Sequence, residues 1–247
     1  MSNLNNQILT NFIEENIILP FYDSRNRSLS KTNLKDILKE KNPYLFQSKN
    51  IKTGQELVKE MLDAFLSSSE ETIFGKLLER LAIFVCEQEF NGYKPKEGEF
   101  PGVDLIFSRD KDAKKETYIV GIKSGNVWGN ADSISKMIEN IQKIAKEKYI
   151  NQKVQLISGI CYGKSKITKY ETYSKYKGQA FWELISGDTN FYIKIVEPIS
   201  QAIKGRDLDF NVAYTKKLNE MTMEILSNFC TDNLLDWSKI VTFNSGK

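Results

Sequence analysis

Two charged residues stand at the ends of two short apolar runs. Asp104 follows Pro101-Gly102-Val103 and opens the run Leu105-Ile106-Phe107. Lys123 closes the run Tyr118-Ile119-Val120-Gly121-Ile122. A charged turn separates the two runs, which is a hairpin signature. In an antiparallel pair the start of one strand lies beside the end of the next, so the acid and the lysine come close in space. The backbone carbonyl of Ile122 points to the same place. Carboxylate and carbonyl oxygens suit a hard cation such as magnesium. A lysine beside such a cation can orient or deprotonate a water. That equipment suits phosphodiester hydrolysis, although an acid, a strand and a lysine also occur together by chance.

Histidine is absent from the 247 residues. The chain therefore holds no Ser-His-Asp triad, no Cys-His pair, no His-ligated zinc and no HNH-type nuclease site. Any acid–base or metal chemistry must use carboxylates, lysine, tyrosine or backbone oxygens. The three cysteines, Cys86, Cys161 and Cys230, are far apart in apolar settings and read as buried thiols in a reducing compartment. No apolar run approaches the length of a membrane span, and the N-terminus lacks the features of a signal peptide. A cytoplasmic protein is expected. With 40% hydrophobic and 27% charged residues, the chain can bury a core as one large domain.

The spacing of Leu4, Ile8, Phe12, Ile13 and Ile17 predicts a helix over residues 3–19 with Pro20 as its stop, and then a loop to Thr32. A short helix follows over 33–39. Thr53 and Glu56 form a capping-box pattern before a helix to Ser67, and Ser68 with Glu71 repeats the pattern before a second helix. On that helix Glu71 and Glu79 lie eight residues apart, about 80° from each other, and Gly75 between them leaves room for an approach. After the hairpin, residues 125–130 read as loop, and Asp132 caps a helix to Tyr149. Val154 to Cys161 reads as a central strand and 165–177 as a basic, tyrosine-rich loop. Helices are expected over 178–186, from Thr189 to Ile203 with a bend at Pro198, and over 208–230. The order predicts an α/β fold, a small mixed β-sheet flanked by helices, with extra N- and C-terminal helices.

Charge is uneven. Residues 143–177 hold nine lysines against two glutamates, interleaved with tyrosines. A basic stretch with aromatics fits a polyanion partner. It also reads as a solvated lysine-rich loop, and charge by itself favours that reading.

Pro101-Gly102-Val103-Asp104 with Gly121-Ile122-Lys123 resembles the motif of the PD-(D/E)XK nuclease superfamily. Gly121 stands where the motif has an acid. Ser68-Ser69-Glu70-Glu71-Thr72-Ile73-Phe74-Gly75, Ile122 to Asn126 with Trp128-Gly129-Asn130, Cys161-Tyr162-Gly163-Lys164 and Gly178 to Gly187 are similar to PmeII-type type II restriction endonucleases. The resemblance runs from about Asn42 to Lys247. It implies a restriction-endonuclease-like domain over 1–247, with a helical extension over 1–52, a catalytic core over 53–165 and a helical part over 166–247. It implies a Mg2+-dependent enzyme that cuts double-stranded DNA at a specific site, acts as a homodimer and has a cognate DNA methyltransferase as genetic partner. Asp104 and Lys123 are its catalytic residues. Asp104, Glu79 and the Ile122 carbonyl hold the metal. A glutamate of the preceding helix, Glu79 or Glu71, replaces the acid missing at Gly121. Glu79 is preferred, because it sits among Leu77, Leu78, Leu81 and Ala82, where a carboxylate is costly to bury without a cation or hydrogen bonds. On a solvated face it needs no such explanation, and Glu71 also reads as a capping residue. Ser124, Asn126, Asn130, Lys164 and Lys166 are the candidate DNA contacts. Two other readings stand beside this one: a structure-specific or repair nuclease of the same fold, and a DNA-binding protein that cuts nothing.

Overall fold

The structure is a computed structural model, and it describes residues 4–96, 98–111, 114–125, 135–136, 138–143, 153–204 and 206–246. The chain forms two compact units. One comprises Met1–Ile18 and Phe74–Ala202, the other Leu19–Ile73 and Ile203–Lys247. The first is built on a five-stranded mixed sheet and the second is mostly helical, so the fold is α/β with extra helices at both ends, as its residue pattern predicts.

The sheet consists of β1 (Leu105–Lys111), β2 (Lys114–Lys123), β3 (Lys153–Ile160), β4 (Lys166–Lys169) and β5 (Ser174–Lys177), in the spatial order β1-β2-β3-β5-β4. The expected hairpin is present: β1 and β2 pair antiparallel, with Leu105 opposite Val120. β3 lies parallel to β2 in the centre, as its apolar run requires. One face of the hairpin carries Ile106 and Ile119, which join Ile138, Ile141, Val103 and Leu156 in one apolar cluster. Phe107 and Tyr118 stack on the other face at 4.8 Å, and Phe90 stacks on Phe107 at 5.8 Å. Glu116, only 2% exposed, needs its own partners there. Burial pushes its carboxyl up, but donors from Lys153, Tyr118 and Gln155 more than offset this and hold it at about 2.

Residues 165–177 are a correction to the sequence reading. They form β4 and β5, not a loop. Ile167, Thr168 and Tyr176 favour a pleated strand, and Tyr170 N–H closes the turn on the Tyr173 carbonyl at 2.9 Å. The Thr189–Ile203 helix is two short helices, Phe191–Lys194 and Val196–Ala202, with Pro198 in the first turn of the second, where its missing N–H costs little.

Helical structure runs without a break from α1 (Asn6–Ile13) through a π-helical turn (Glu14–Ile18) into α2 (Leu19–Lys31). Pro20 does not stop it. A proline cannot donate to the carbonyl four residues back, here Asn16. The π-turn accommodates the mismatch, and the Arg80 guanidinium donates to the Asn16 carbonyl at 3.4 Å.

In the second unit, α3 (Leu34–Glu40), α4 (Pro43–Ser48), the first part of α5 (Gly54–Phe90), α9 (Arg206–Phe229) and α10 (Trp237–Ser245) enclose a core that includes Leu38, Phe46, Leu57, Leu62, Ile225 and Ile240. The helices between, α6 (Gln179–Ser186), α7 (Phe191–Lys194) and α8 (Val196–Ala202), belong to the first unit. The first capping box is real: Glu56 N–H donates to Thr53 Oγ1 and Thr53 N–H to Glu56 Oε2, each at 3.2 Å. The second is not. α5 runs straight through Ser68, whose carbonyl accepts the Thr72 hydroxyl inside the helix. No proline interrupts the apolar stripe there, so a local capping pattern loses to continuous packing.

Candidate active site

Asp104 sits one residue ahead of β1, and its N–H donates to the Val120 carbonyl at 2.9 Å. Its carboxylate turns onto the next part of β2, where Oδ2 accepts the Ile122 N–H at 2.7 Å. Peptide groups alternate between the two edges of a strand. The Lys123 carbonyl accepts from Cys161 N–H on the β3 side at 2.9 Å. Ile122 therefore presents its N–H and its carbonyl to the β1 side, where Asp104 stands. Acid, strand-end carbonyl and lysine meet at one place.

Helix α5 brings the second carboxylate. Burial pushes the Asp104 carboxyl up from 3.8 to about 6, and the like charge of Glu79 adds to the rise. The Ile122 N–H, Lys123 and Lys94 pull it down without cancelling the effect. Cys161, just past the end of β3, feels the same two carboxylates. Burial first, then Glu79 and Asp104, push its thiol up to about 12. Lys94 holds Glu79, Nζ to Oε1, at 3.0 Å. Lys94 gives no signal in the sequence, being a lone lysine before a proline. It reaches the site because Tyr93 pairs with Ile106 and adds one rung beside β1.

Gly75, one turn before Glu79, marks where α5 meets the end of β2. A Cβ there would stand 2.9 Å from Ser124 Cβ. The approach expected at this glycine is thus made by Ser124, which is half-buried against the helix. Glu71 is exposed, on the stretch of α5 that belongs to the other unit. The charges that act on Asp104 are those of Glu79, Lys94 and Lys123.

Among the described residues no three His, Cys, Asp or Glu side chains converge as a ready-made metal cage. Magnesium needs none, since it keeps several waters and takes one or two carboxylates together with substrate phosphate. Two mutually repelling, half-buried carboxylates beside a strand-end carbonyl make an all-oxygen donor set that fits such an ion.

Strand register extends the site sideways. Lys123 lies beside Ile160, Ile160 beside Lys177, and Lys177 beside Lys166. Laterally paired residues point to one face of a sheet, so Lys166 and Lys177 share a row with Lys123. The buried Ile160 separates Lys123 from the Lys177–Lys166 pair in that row. The sequence pointed to Lys166 but missed Lys177, because residues 165–177 read as loop. The alternation in Ser174-Lys175-Tyr176-Lys177 was the available signal. Lys164 is exposed nearby in sequence, next to Gly163. Asn126 and Asn130, the other candidate DNA contacts, lie outside the described residues.

The family model of the type II restriction endonuclease EcoO109I matches residues 7–207, which include every residue of this cluster. The chain belongs to the type II restriction endonuclease EcoO109I family. It is a nuclease by family, and DNA is its class of partner. Among curated proteins none matches the chain. Among the described residues no helix is long and apolar enough to cross a membrane.

Proposed function

We propose that the protein is a Mg2+-dependent, site-specific endonuclease of a restriction-modification system, of PmeII type, that cuts double-stranded DNA. The observation that carries this reading is the cluster of Asp104, Glu79, the Ile122 carbonyl and Lys123 at one strand end, in a chain of this family. Asp104, Glu79 and the Ile122 carbonyl hold the cation. When bound, magnesium neutralises phosphate charge and makes its water more acidic. Lys123, as an ammonium, orients the attacking water and stabilises the hydroxide that forms as the water's proton leaves to solvent. The Ile122 N–H fixes the Asp104 carboxylate in place, and Lys94 holds Glu79 before the site is loaded. Glu79 takes the place of the acid that Gly121 lacks. Ser124, Asn126, Asn130 and Lys164 are kept as DNA contacts. A homodimer matches a palindromic site by two-fold symmetry. The setting is cytoplasmic, with a methyltransferase that protects the host DNA.

The test is digestion of genomic DNA by the purified protein with magnesium. A fixed set of fragments with one end sequence is expected, and none with EDTA. Cuts without a fixed sequence would point to a structure-specific nuclease. Binding without cuts, in magnesium and in manganese, would point to a protein that only binds DNA.

The lysine row makes a separate prediction. Lys166→Gln and Lys177→Gln should each weaken DNA binding similarly for all sequences. Each should also reduce the slope of log affinity against log salt by about 1. Fluorescence anisotropy across a salt series checks this. An unchanged slope in both variants takes the row out of the interface.

A further inference from the structure

Helix α9 carries an apolar stripe that its own unit does not cover. Leu208, Val212 and Met223 are 66%, 72% and 71% exposed, and Leu226 is 43% exposed. At 100° per residue, Leu208, Val212, Thr215, Asn219, Met223 and Leu226 fall within an arc of about 80° and span about 27 Å. The opposite side of the helix, with Met221, Ile225 and Phe229, is buried in the unit's core. A stripe of this length, apolar at both ends and polar in the middle, is not an ordinary solvated face.

Its order along the helix is palindromic in character. If two copies of α9 lie antiparallel about a two-fold axis near Lys217, Leu208 meets Leu226, Val212 meets Met223, and Thr215 meets Asn219. The three midpoints fall at 217, 217.5 and 217, within half a residue of one another. Lys216 and Glu220 flank the stripe on the same side, and their midpoint at 218, one residue from that centre, still brings Lys216 of one copy toward Glu220 of the other, twice by symmetry. Glu220 already takes Lys217 of its own helix at 3.6 Å, so the second lysine adds to an existing pair. Charge complementarity of a surface with itself is what an isologous contact requires.

We infer that this face of α9 is the contact with a second copy of the chain, formed by antiparallel pairing of the two α9 helices. The inference rests on the homodimer reading above and names its surface. The test is sedimentation equilibrium of the full chain over a concentration series. Wild type is expected to dimerise. Val212→Glu combined with Met223→Glu buries four unpaired carboxylates in the contact and should raise the dimer dissociation constant by roughly 100-fold or more. Both side chains are exposed, so the circular dichroism and the melting temperature should stay near wild type. Lys216→Glu should weaken the dimer, and adding Glu220→Lys should restore it. A wild type that stays monomeric overturns the homodimer reading and the contact together. A dimeric wild type whose double glutamate variant dimerises equally well overturns only this contact.

Discussion

Replacing Lys123 with alanine is expected to slow DNA cleavage by roughly 100- to 1,000-fold, the range for loss of one positioned charge-stabilising donor. Lys123 is half-buried at the end of a strand whose preceding residues, Tyr118 to Ile122, are core. Its stem continues the pleat, and its ammonium stands where its charge reaches Asp104. Truncation removes that charge without opening a cavity among the apolar neighbours. Thermal stability should therefore change little, and DNA should still bind. Single-turnover cleavage and anisotropy on the same variant separate the two effects. Equal cleavage by wild type and Lys123→Ala would remove this residue from the chemistry.

Asp104→Asn is expected to abolish cleavage and, without metal, to stabilise the fold. The sign follows from the two protonation states. The unfolded carboxyl titrates near 3.8 and the folded one at about 6, so the folded state holds the proton more tightly. Stability of the metal-free protein falls as pH rises through this window, and the full cost stands above it. An asparagine carries no charge to bury, and its carbonyl can still accept the Ile122 N–H. The gain at pH 7 should be about 1–3 kcal/mol, a few degrees in melting temperature for a chain of this size. Denaturant melts in EDTA from pH 4 to pH 7 check it. Wild type should weaken across the range relative to the variant. A variant no more stable than wild type at pH 7 would mean that Asp104 bears no burial cost. A stability gained by removing an active residue is the usual trade at a functional site.

The hairpin was legible because both strands are local, continuous and closed by one turn. The fold class followed from the order of the runs. What the sequence hid was decided by tertiary context. Pro20 marks a helix stop in isolation, yet Arg80, sixty residues away in the chain, serves the carbonyl that Pro20 leaves bare. Ser68 and Glu71 look like a cap, yet α5 continues through them. Lys166 and Lys177 fall in one row with Lys123, beyond Ile160, only through the β2-β3-β5-β4 register, which no local pattern contains. Lys94 enters through one isolated rung beside β1. The carboxylate pair was half legible. Asp104 announced itself at a strand end, while choosing between Glu79 and Glu71 needed to know which of them acts on Asp104.

That choice is the central claim, and a cleavage assay in magnesium on Glu79→Gln and Glu71→Gln tests it most directly. Loss of at least roughly 100-fold in rate is expected for Glu79→Gln, with Glu71→Gln near wild type. Wild-type cleavage by Glu79→Gln, or loss confined to Glu71→Gln, would contradict it.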